Sequence, residues 1–176
     1  MPVTEELVRR LEREIPGYNL RPLDLDDLDG LCEREGVVLV RHPFPGLGLT
    51  FRRHGHPVIA VNDTLPAGHA AFVGFHEYFH HLFHPGTAHY YAGSPNWLNK
   101  IEAQASVLAA LAVWPTPLLV RDLEAGQTPA RPDDLPDYVV ELRLKAHAHY
   151  LSLLRARQGG APGDEGQVGL DLIAPR

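Results

Sequence analysis

The chain has 176 residues, 44% of them apolar, which suits one domain with a real core, since a chain of this size buries about 70% of its unfolded surface. A formal net charge of −6 argues against direct nucleic-acid binding, which needs a basic patch. Cys32 is the only cysteine, so no internal disulfide forms; a cytoplasmic protein is expected, with no signal peptide and no membrane span.

In chain order, Thr4-Glu5-Glu6 followed by Leu7, Val8 and Leu11 predicts a capped helix that Pro16-Gly17 ends. A second helix is predicted from Asp24 to Glu35, with Gly36 after its end. Asp24, Asp26, Asp27 and Asp29 lack the glutamate and glycine spacing of a calcium loop and read as a solvated helix start. Cys32 lies in this acidic stretch, where a thiolate is disfavoured. Val37 to Val40 and Leu47 to Arg53 read as strands, and Gly55 turns the chain into a third, His56 to Asn62. His54 and His56 read as surface residues. The expected sheet is small, antiparallel or mixed, and leads directly into the next helix.

That helix, about Ala67 to His84, carries Phe72, Phe75, Phe79, Leu82 and Phe83 as an apolar stripe, and Pro85-Gly86 stops it. On its flank stands His76-Glu77-Tyr78-Phe79-His80, an H-E-x-x-H sequence. Residues four apart share a helix face, about 6 Å apart along the axis, so His76 and His80 can aim two imidazoles at one metal ion. Glu77, about 100° further round, stands beside such an ion, where a carboxylate can take a proton from water.

A catalytic zinc site needs a third protein ligand and an open position. The longer pattern H-E-x-x-H-x-x-G-x-x-H fails, because Phe83 and Gly86 stand at its glycine and third histidine. His84 is eight residues beyond His76, about 12 Å by helical rise, too far to share an ion with it. Glu102 is the better candidate. It lies in a second helical stretch, about Asn96 to Val113, beside the small residues Ala105, Ser106 and Ala109, which allow close helix approach. The plain alternative is an exposed glutamate in a helix's first turn.

Between these helices, His84 to Pro95 reads as a loop joining two walls of a cleft, with His89, Tyr90 and Tyr91 given no assigned role. The apolar window Ala103 to Val120 is broken by Pro115 and Pro117 and reads as core, not as a membrane span. A short helix to Glu124, a proline-rich linker over 126–134 and a final helix from Tyr138 to Arg157 follow. His147 and His149 point about 200° apart on that helix and cannot chelate one ion. The domain is therefore expected over 1–157, with a flexible tail over 158–176.

His76-Glu77-x-x-His80 with His84 following, then Glu102-x-x-Ala105-x-x-x-Ala109 and Pro115, resembles the ImmA/IrrE family of metallopeptidases. The strand Val58 to Asn62 is similar to that family's too. The likeness covers roughly 37–120, with looser patterning to about 156. Phe79 stands where the family has glycine, and Ser106 where it has asparagine.

The expectation is an α+β, zincin-like zinc peptidase: His76, His80 and Glu102 as metal ligands and Glu77 as general base. The resemblance implies a helix-turn-helix repressor as protein substrate. The alternative is a zinc-containing module that binds a repressor without cutting it; a hydrolase of a non-peptide substrate is a third class. The strand His56 to Asn62 is expected at the cleft rim and, if it is an edge strand, captures an extended peptide by strand addition.

Overall fold

The protein's structure, a computed structural model, describes residues 3–84, 95–129 and 131–159. Of the expected loop, 85–94 lie outside the described residues, as do 160–176 of the expected tail. Helix α1 spans Glu5–Glu14, opened by Thr4, whose hydroxyl accepts from the Leu7 amide at 3.2 Å. Helix α2 spans Leu25–Glu35: Asp24 and Asp27 form a reciprocal capping box, and Gly36 ends it in the left-handed region.

Three strands follow, β1 (Val38–Arg41), β2 (Gly48–Arg53) and β3 (His56–Val61), in the spatial order β1-β3-β2. β2 and β3 form a hairpin whose two central residues, His54 (φ 52°) and Gly55 (φ 87°), both lie at positive φ, as a tight hairpin turn requires. β1 pairs with β3 on the other side, in parallel. The sheet is therefore mixed, and the edge-strand expectation for His56 to Asn62 is corrected: β3 is central, with both its edges paired. The reason is long-range. Asn62 donates to the carbonyls of Phe44 and Gly46, both at 2.8 Å, holding the β1–β2 connection against the end of β3. Among the described residues the edges are β1 and β2.

Helix α3 (Ala67–Phe83) crosses the inner face of this sheet. It buries Phe72, Phe75, Tyr78 and Phe79, so it is anchored in the core along its back. Burying each such ring contributes about 1.5–3 kcal/mol. Two glycines set how close its neighbours come. A Cβ at Gly74 would stand 2.6 Å from Leu28, and one at Gly48 would stand 2.4 Å from Val73 and 3.1 Å from the Cγ of Glu77. α2 and β2 thus lie against α3 only because those side chains are missing.

Helix α4 (Pro95–Val113) packs along α3, with Ala105, Ala109 and Ala110 fully buried. Helix α5 (Thr116–Glu124) follows it, and α6 (Asp137–Gly159) packs on α4. α6 takes in Gln158 and Gly159, two residues assigned to the tail by sequence. Polar groups lock this side of the core. Tyr18 donates its hydroxyl to the Leu108 carbonyl at 3.1 Å, Thr116 its amide to Asn19 at 2.8 Å. Arg143, 1% exposed, donates to the Trp114 carbonyl at 2.8 Å and to the Thr116 hydroxyl at 2.9 Å. No single helix among the described residues is long and apolar enough to cross a membrane. The bent pair Lys100–Val113 and Thr116–Glu124 reaches the length only across a 68° break, and Leu108, Ala112 and Leu119 in it are fully buried.

Candidate metal centre

α3 presents His76 and His80 one turn apart towards α4, and α4 returns Glu102. The two Nε2 atoms stand 2.9 Å apart, with Glu102 Oε2 3.1 Å from His76 Nε2 and Oε1 3.3 Å from His80 Nε2. The group's ligand atoms lie within 4.8 Å of one another. The histidine side chains are 16% exposed and that of Glu102 is 54% exposed, so the cluster opens to solvent on the α4 side.

The electrostatics of this triad are unusual. Each neutral imidazole that offers Nε2 as a lone pair becomes an acceptor facing two other acceptors at about 3 Å. A metal ion at their centre, or a proton carried on a ring nitrogen and donated to Glu102, turns such a set from repulsive to attractive. Hydrogen bonds from His76 and then His80 hold the Glu102 carboxyl far below the usual carboxylate range, against the opposing effect of burial. The set also fits a metal in size. Donors 2.0–2.1 Å from a tetrahedral ion lie about 3.3 Å apart, within a few tenths of an ångström of the spacing here.

Behind each imidazole stands a partner. Ser106 Oγ lies 3.1 Å from His76 Nδ1. His84 Nδ1 lies 3.1 Å from His80 Nδ1, and its Nε2 is 2.9 Å from Oε1 of Gln104, a side chain only 4% exposed. Burial lowers the proton affinity of His84, favouring its neutral form. Glu77 stands outside the triad, on the β2 side of α3. The Thr50 hydroxyl lies 2.9 Å from both its carboxylate Oε2 and its backbone carbonyl, and can donate its one proton to either. Gly48 makes this reach available by letting β2 close on the helix.

The structure thus brings together His76, His80 and Glu102, while the carboxylate of Glu77, the residue after His76, meets Thr50 of β2. His84 joins from behind as a hydrogen-bond partner of His80. His54 and His56 are exposed on the hairpin, and His147 is buried on α6. Cys32 is buried, and its thiol is pushed up to about 12, first by burial and then by Asp29 and Glu35; desolvation outweighs the acidic neighbours that sequence pointed to. Sequence reasoning missed Thr50, Gln104 and Ser106 as partners. For Ser106 a signal existed: it lies four residues after Glu102, on the same helical face, at the position where the family carries another polar residue. The other departure, Phe79, points the opposite way, packing edge-on against Tyr18 and stacking on Phe83.

Residues 32–150 match the model of the IrrE N-terminal-like domain (Peptidase_M78). No curated protein and no solved structure matches significantly. The match spans more than half of the chain and takes in the sheet, α3, α4 and every residue of the cluster described above. On that match the chain belongs to the ImmA/IrrE family of metallopeptidases, as an IrrE N-terminal-like domain.

Proposed function

We propose that the protein is a zinc-dependent endopeptidase of the cytoplasm that cuts a protein substrate, in keeping with the family a helix-turn-helix repressor. The observation that carries the reading is the pairing of two unlike carboxylates. Glu102 is engaged by the histidine nitrogens, while Glu77 is engaged by Thr50 instead. One carboxylate completes a ligand set of two nitrogens and an oxygen, which suits zinc and leaves a coordination position open. The other is left to move protons.

A bound zinc ion supplies Lewis-acid polarisation and makes water acidic enough to be deprotonated near neutral pH. Glu77 takes the proton from the attacking water and passes it to the departing amine. Thr50 fixes the carboxylate rotamer for both transfers. An extended substrate segment is presented by β2, which pairs with β3 on one side and, among the described residues, has no strand on its other edge; its Thr50 meets Glu77. Such capture favours a flexible or locally opened segment of the substrate over a stable helix.

The test is Glu77→Gln, which changes shape little and cannot accept a proton. Metal analysis should show zinc at wild-type occupancy, and cleavage of a co-encoded repressor should fall by roughly 10²–10⁴. Normal cleavage by this variant would remove Glu77 from the mechanism. A wild-type protein that holds zinc and binds the repressor, yet never cuts it, would favour the non-cleaving module.

A further inference from the structure

We infer that His84 and Gln104 are positioning residues that select the metal-binding tautomer of His80. This rests on the reading of His76, His80 and Glu102 as ligands and extends it to two residues that touch no ligand position. For His80 to offer Nε2 to an ion, its one ring proton must sit on Nδ1. Nδ1 stands 3.1 Å from Nδ1 of His84, so the proton must be donated there. His84 can accept it only with its own proton on Nε2, which points at Gln104 Oε1, 2.9 Å away. The chain then runs one way throughout: His80 Nδ1–H to His84 Nδ1, and His84 Nε2–H to the Gln104 oxygen.

The reversed chain is equally well hydrogen-bonded internally, but it has the opposite consequence. If the Gln104 amide turned its NH₂ to His84 Nε2, His84 would donate from Nδ1 and His80 would accept. The His80 proton would then sit on Nε2 and block the ligand position. Gln104 presents its oxygen to His84, the direction that frees Nε2, while its buried Nε2 finds no acceptor among the described residues. His76 is held differently. Its Nδ1 meets Ser106 Oγ, a rotor that can accept without constraining a third group.

Outer partners of this kind are worth 10–100-fold in metal affinity. His84→Leu should therefore weaken zinc binding, measured by chelator competition, by 10–100-fold. His84→Asn, whose amide oxygen can accept near the Nδ1 position, should recover most of it. Gln104→Glu, an acceptor only, should bind zinc at least as tightly as wild type, whereas Gln104→Leu should not. Nitrogen-15 spectra of the zinc-loaded wild-type protein read the tautomers directly, and should show His80 protonated on Nδ1 and His84 on Nε2. The opposite protonation of His84 overturns the proposal without any variant, as does unaltered affinity in folded His84→Leu. Glu102→Ala measured alongside separates the two failures. If it loses zinc while His84→Leu does not, only the positioning role falls; if it keeps full zinc, the ligand assignment beneath it falls.

Discussion

Two polar clusters flank α4, and they are built on opposite rules. Towards its C-terminal end, donors meet acceptors. Arg143 reaches the Trp114 carbonyl and Thr116, Tyr18 reaches the Leu108 carbonyl, and Asn19 receives the Thr116 amide. Beside its first turns, three groups able to offer lone pairs, two Nε2 atoms and a carboxylate, converge on one point. The first cluster pairs its donors and acceptors, the buried Trp114 indole N–H excepted, and is nearly sealed from water, so it serves the fold. The second could hold a cation, and it opens to solvent. The lesson is that polar burial alone does not mark a functional site; mismatched polarity at an accessible position does.

The largest effect should come from removing the mismatch. Glu102→Ala deletes one of three proposed ligands, and zinc affinity should fall by orders of magnitude, with Glu124→Ala as an unaffected control. Full zinc in Glu102→Ala would mean that the convergence of these atoms has another purpose. A smaller effect, of a different kind, is expected at the matched cluster. Arg143→Met removes the donor of two hydrogen bonds and leaves the Trp114 carbonyl unsatisfied, costing about 1–3 kcal/mol of stability. Its Tm should drop while zinc affinity stays put. A variant that folded normally but lost zinc would join the two clusters that the geometry separates.

Much of this contrast was legible in the sequence, and the limits are physical. The aromatic stripe of Phe72, Phe75 and Phe79 and the four-residue spacing of His76 and His80 define a helix with a chemical flank, because both are local and periodic. Glu102 could be picked out because small residues around it announce a close helix contact. Spacing also excluded His84 as a co-ligand of His76, but no local pattern says that its ring turns back on His80. Thr50 was invisible for a similar reason. Its reach to Glu77 depends on β2 closing on α3 at Gly48, a contact between elements far apart in sequence. The place of β3 in the sheet was misjudged because strand order is decided by pairing with β1 across the β1–β2 connection, which Asn62 organises, and not by the strand's nearness to α3.

The subtlest prediction sharpens the comparison by pH. His147 is buried on α6, one turn beyond Arg143, and its proton affinity is lowered first by burial and then by that guanidinium. Arg143 itself is pushed down to about 10 by burial. For a histidine whose folded pKa lies below its unfolded value of about 6.5, the unfolded chain binds more protons as the solution is acidified. The stabilisation is therefore present above that value and is lost as pH falls from about 6.5 towards the folded pKa, by at most about 1.4 kcal/mol per pH unit. Metal affinity is in general pH-dependent, and a bound ion would add its own contribution. Unfolding should thus be followed in chelator-treated protein. His147→Gln should show a shallower decline of stability between pH 6.5 and 5 than the wild type. Parallel declines in the two proteins would mean that His147 is not held neutral by the matched cluster. A shallower decline that appears only with zinc present would move the effect to the mismatched cluster instead.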